Sequence, residues 1–147
     1  MRILELENLF KKEETLDKVL EELKADFDKT DYYANLMQTN IVNNPEEVKS
    51  ALTELTGTFS NLRTALAIAE TEKKNREIRA YNQIRIDVEN AGKKFISASS
   101  EKQASGEVSA YRRIKNLILG YKESAEKAIS SLQSILRYMA VEYNQNQ

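Results

Sequence analysis

From position 58 to position 91 no Pro or Gly interrupts the chain, and the whole sequence holds only four Gly and one Pro. Hairpins and small barrels consume turn residues, so this scarcity removes most β architectures and leaves helices. Charged residues make up 31% of the chain. Ala, Glu, Lys, Leu and Arg are abundant, the composition of helical bundles and coiled coils. The expected fold class is all-α: an elongated bundle or coiled-coil hairpin of about three to five helices, two of them long.

Apolar spacing divides the chain into segments of one helical domain over 1–147. Leu6, Leu9, Phe10, Leu16, Val19, Leu20, Leu23 and Phe27 recur at helical steps and predict a first helix over 3–28, with Glu13 interrupting the stripe. Thr30 or Asp31 then caps a short helix over 31–42. Asn44-Pro45-Glu46-Glu47 is the clearest punctuation. Asn44 accepts from free helix N–H groups, Pro45 suits the first helical position, and the two Glu complement the helix dipole. From there Val48, Leu52, Leu55, Phe59, Leu62, Leu66 and Ala69 form a heptad seam. The seam loses phase at Lys73 and Arg76 and resumes at Ile78 and Tyr81, which predicts one long helix over 45–96, the alternative being a break near Lys74-Asn75 that gives two packed helices. Ser97 to Gly106 is small and Ser-rich, and is expected to be a loop. A capping box at Ser100 and Gln103 starts the last helix, over 101–143. Seams this long are not fully covered within one chain, so a homo-oligomer is expected.

Charge is distributed unevenly. Residues 1–70 carry 8 Lys/Arg against 14 Asp/Glu, and residues 71–147 carry 14 against 9. The stretch from Lys73 to Lys115 holds 11 Lys/Arg and 5 acids. Within it Lys73, Lys74, Arg76, Arg79, Arg85, Lys93, Lys94, Arg112, Arg113 and Lys115 are the candidate nucleic-acid contacts, because repeated cations at helical spacing neutralise phosphates and release counterions. Tyr81, Phe95 and Tyr111 are interleaved with them, as in proteins that stack the bases of a single strand. The same cations also suit a solvated face, an acidic protein partner or the acidic face of a neighbouring subunit. Tyr81 and Tyr111 also suit a core.

Several chemistries are excluded. The chain has no His and no Cys. That removes the usual acid/base group, thiolate nucleophiles and cysteine-based zinc sites. No phosphate-binding loop is visible, so no enzyme and no cofactor are expected. Asp26, Asp28 and Asp31 resemble the start of a calcium loop, but its Gly and terminal Glu are missing. No apolar run is long enough to cross a membrane, and the N-terminus lacks the pattern of a signal peptide, so a cytoplasmic location is expected.

The run from Leu62 to Arg85, with its Glu-Thr-Glu-Lys-Lys-Asn-Arg-Glu-Ile-Arg core, and the run from Tyr111 to Met139 carry a resemblance. An amphipathic first helix, a long helix ending in basic turns, a polar interruption and a long last helix together resemble the UvsY-like phage recombination mediators. The resemblance spans most of the chain in architecture. It implies an oligomeric protein that binds single-stranded DNA and helps load a recombinase onto strands covered by single-strand-binding protein, in the host cytoplasm if phage-encoded. It places Lys73, Lys74, Arg76 and Arg79 on the DNA. The competing expectation is a helical adaptor, inhibitor or structural protein that acts only through protein–protein contacts.

Overall fold

The computed structural model describes residues 3–39 and 44–146 and is all-α, with no strand among those residues. Its elements are α1 (Ile3–Phe10), a 3-10 turn (Glu13–Thr15), α2 (Leu16–Gln38), α3 (Pro45–Asn90), α4 (Ser97–Glu107) and α5 (Ser109–Gln145). None of these helices is both long and apolar enough to cross a membrane.

The first break falls at Lys11–Thr15 and not at 28–31. Extending α1 without a bend would carry the stripe of Leu6 and Phe10 onto Glu13 and Asp17. The bend resets the phase, so that Leu6 and Phe10 pack with Leu16, Val19 and Leu23 in one core. Thr15 fixes it by donating its hydroxyl to the carbonyls of Leu9 at 2.6 Å and Lys12 at 3.0 Å. Thr30, read as a cap, instead lies buried inside α2 and donates back to the Asp26 carbonyl at 2.9 Å. The helix therefore continues through 28–31. The last part of the short helix expected over 31–42, residues 40–42, lies outside the described residues.

α3 begins where the punctuation places it. Asn44 Oδ1 accepts from the Glu46 N–H at 2.9 Å and Pro45 opens the helix. The helix is continuous across the phase shift at 70–78 and spans about 70 Å at ~1.5 Å per residue. It stops at Asn90, not 96. Gly92 adopts φ of +68°, Lys93 donates to the Val88 carbonyl and Gly92 to that of Glu89, both at 3.1 Å. This is the paired closure that ends a helix through a left-handed residue, and glycine takes it without strain.

α3 is the spine. α5 runs antiparallel to it: Leu62 and Leu66 share a core with Ile114 and Ile118, while Val48 and Leu55 pack with Ala128 and Leu132. α2 is also antiparallel to α3, with Asn61 donating to Asp26 and Tyr33 to Glu54. The buried stripe on α3 keeps Val48, Leu55, Leu62, Leu66 and Ala69 of the expected seam and widens toward one flank. Ala51, Thr58 and Ala65 are buried, whereas Leu52 and Phe59 are half-buried. α3 meets α2 and α5 at once, and small residues let both backbones approach the line between them.

The Ser-rich stretch expected as a loop is α4. Ser97 meets Tyr81, Glu101 and Ala104 face Lys74 to Tyr81, and Glu107 and Val108 face Arg76 to Gln83. Its two ends thus touch the same level of α3, so α4 crosses the spine and does not run alongside it. Ser100 and Ala104 are buried at the crossing, where larger side chains would hold the helices apart.

Tyr33 supplies a pH test of this packing. Burial, followed by its hydrogen bond to Glu54 and the charge of that carboxylate, pushes its pKa up to about 12 from 10.0. Its contribution to stability is therefore complete below about pH 10 and is lost as pH rises through 12. The urea midpoint is expected to fall between pH 10 and 12, and to fall less steeply in Tyr33→Phe than in the parent. Equal slopes would show that the bond does not matter.

Candidate nucleic-acid interface

The ten candidate cations lie on the distal half of α3, in the turn at 91–96 and on the first turns of α5. They divide into two groups by their partners.

Four are committed within the fold. Lys73 pairs with Glu77 at 3.6 Å. Arg85 pairs with Glu89 at 3.1 Å and stands 5.7 Å from the Phe95 ring centroid. Arg112 donates to the Ser105 carbonyl at 2.8 Å and to its hydroxyl at 2.5 Å, bracing the junction of α4 and α5. Arg76 is the most engaged. Its guanidinium lies 4.5 Å from the Tyr111 ring centroid and donates to the Lys11 carbonyl, tying the bend between α1 and α2 to the spine. A cation stacked on a buried ring and spent on a backbone carbonyl is poorly placed to hold phosphate as well.

Lys74, Arg79, Lys93, Lys94, Arg113 and Lys115 form no ion pair, hydrogen bond or ring contact among the described residues. All but Lys115 are exposed. Lys102, exposed on α4, joins them. The interaction of Arg76 with Tyr111 brings the Lys73–Arg79 turns and the start of α5 to one level along the spine, while Lys93 and Lys94 occupy the turn at its end.

The aromatic residues separate in the same way. Tyr111 is 2% exposed and belongs to the core. Burial raises its pKa, with the Arg76 charge working in the opposite direction. Tyr81 and Phe95 are half-buried and meet edge to face at 5.5 Å.

Two grooves flank the crossing of α3 and α4. Lys74, Ile78 and Tyr81 point to one side of α3, and Arg76, Ala80 and Gln83 to the other, as a 3.6-residue period requires. The first groove, of about 450 Å³, is lined by Lys74, Glu77, Ile78, Tyr81, Glu101 and Ala104. The second, of about 390 Å³, sets Arg76 and Arg79 against Glu13 and Glu107, so its charges cancel. Sequence reasoning missed Ile78, Glu101 and Ala104 as neighbours, because a loop over 97–106 gives no groove. The capping box read at Ser100 and Gln103 does not form: Ser100 lies buried inside α4, which opens at Ser97, and the last helix opens at Ser109 and not at 101.

The acidic positions do not assemble a metal site among the described residues. Asp26 accepts from Asn61, Asp28 pairs with Lys24 at 2.5 Å, and Asp31 accepts from the Tyr121 hydroxyl at 2.9 Å. Three carboxylates with three separate partners do not converge on one point.

No protein-family model, curated protein or solved structure matches the chain.

Proposed function

We propose that this chain is a non-enzymatic accessory protein that binds single-stranded DNA through the phosphate backbone at its basic end. One observation carries the reading: Lys74, Arg79, Lys93, Lys94 and Arg113 are exposed and uncommitted around one end of the spine, while nearby Glu77 and Glu89 are held by Lys73 and Arg85. Free cations beside neutralised acids leave a positive field for a polyanion. The resemblance to UvsY-like mediators supports a recombination setting, with a recombinase or single-strand-binding protein as partner and an oligomer that presents several basic ends at once. Avidity then compensates for weak individual contacts.

The test is a titration of a labelled oligonucleotide at increasing salt. If Lys74, Arg79, Lys93, Lys94, Arg113 and Lys115 each neutralise one phosphate, log K falls against log salt with a slope of about −4. Absence of binding at low salt overturns the reading.

The protein-only alternative draws on a different feature. Tyr138 and Val141, one turn apart near the end of α5, are 65% and 52% exposed on one face. Apolar side chains paired this way suit a helix from a partner or a second copy. Recovery of a partner from nuclease-treated extract, lost on replacing these two by Ser, favours the alternative.

A further inference from the structure

We infer that the groove between α3 and α4 receives an unpaired nucleobase, guanine in preference to thymine, from the strand whose phosphates the surrounding cations hold. This rests on the reading above and adds a base-recognising pocket to it.

The groove has the parts such a ligand requires. Tyr81 supplies an aromatic ring whose orientation is fixed twice, by the edge contact with Phe95 at 5.5 Å and by a hydrogen bond between its hydroxyl and Ser97 at 3.2 Å. A ring held in place loses little entropy when a base stacks on it. Ile78, half exposed, adds apolar surface beside the ring, and the small Ala104 lies buried at the floor between the helices. At about 450 Å³ the space falls within the range of about 300–1,000 Å³ common to small-ligand sites. Lys74, free of any ion pair, stands at the same groove to take the phosphate attached to the base.

Glu101 supplies the selectivity. One of its oxygens, Oε1, accepts from the Ser97 hydroxyl at 3.4 Å, and Oε2 has no partner among the described residues. An ionised carboxylate only accepts hydrogen bonds. Guanine offers it two adjacent N–H donors on its pairing edge, whereas thymine offers one N–H between two carbonyl oxygens that the carboxylate repels. In a duplex that edge is already paired, so the groove distinguishes single strands from double.

The experiment compares two labelled strands of equal length, one bearing thymines with isolated guanines and the other built of abasic deoxyribose phosphate units. The parent protein is expected to bind the base-bearing strand at least about five-fold more tightly, the lower range for one stacked base. Tyr81→Leu, which fills the space without an aromatic face, is expected to bring that ratio close to one. Glu101→Gln is expected to remove the advantage of the guanine-bearing strand over one of thymine alone. Circular dichroism melting confirms that both variants fold, and Tyr81→Phe, which keeps the ring, is expected to retain the ratio. Equal affinity for the two strands in the parent overturns the groove and leaves the phosphate track standing. Binding to neither strand at low salt overturns both. If both strands bind alike and light scattering shows Tyr81→Leu breaking an oligomer, the groove holds a second copy of the chain and the proposal fails.

Discussion

Replacing Lys74, Arg79, Lys93 and Lys94 together by Glu is expected to weaken single-strand binding several hundred-fold at 0.1 M salt. Each neutralised phosphate contributes about 0.7 of a log unit per tenfold change in salt, so four lost contacts remove almost three log units before any repulsion is counted. The slope of log K against log salt is expected to shrink from about −4 to about −1. None of the four side chains has a partner among the described residues, so the fold does not depend on them. A melting temperature close to the parent's is therefore part of the expectation. Arg76→Ala makes the contrast. It removes the stack on Tyr111 and the tie to Lys11, so it is expected to cost stability first and affinity only as a consequence. If the quadruple variant binds like the parent, the basic end is a solvated face.

Leu62→Ala is expected to destabilise the fold by about 2–5 kcal/mol. Leu62 is fully buried in the cluster where α2, α3 and α5 meet, together with Val19, Leu23 and Ile118. Three helices converge on this side chain, and none can close the resulting cavity without leaving the others. Against a total stability of about 5–15 kcal/mol for an ordinary domain, such a loss is large. At about 3 kcal/mol the melting temperature falls by roughly 6–12 °C. Leu52→Ala, on the half-buried flank of the same helix, is expected to lose clearly less, and urea denaturation of the two variants side by side checks this. A larger loss at Leu52 would mean that the half-buried flank of α3, and not the three-helix junction at Leu62, carries the main packing.

The all-α class and the start of α3 were legible because their signals are local. Asn44, Pro45 and the two Glu act within one turn, and a chain so poor in Gly and Pro has few alternatives to helix. What escaped depends on distant neighbours. The bend at Lys11–Thr15 exists because Leu6 and Phe10 must reach the core that Val19 and Leu23 share, which spacing along one helix does not reveal. Ala51, Thr58 and Ala65 are central because two helices press on α3 together, yet small side chains carry almost no hydrophobic signal. The stretch 97–107 reads as a loop because Ser and Gly are weak helix formers, and it is helical because Ser100 and Ala104 fit closely against the spine. For the interface, the clustering of cations was plain in the sequence. Their division into committed and uncommitted side chains was not, since it turns on partners such as Tyr111, Ser105 and the Lys11 carbonyl.

The crossing of α4 over α3 has a consequence for where the molecule opens. From residue 70 to residue 107 only Ile84, Ser100 and Ala104 are buried, while the three-helix end holds nearly all the large core side chains. Local opening free energies follow the density of buried contacts, so amide hydrogens over the basic end are expected to exchange with solvent through excursions far cheaper than global unfolding. If the proposed strand settles there, it is expected to tighten the least protected part of the chain, with slowed exchange over Lys74–Ala104 while the rate at Leu62 and Ile118 hardly moves.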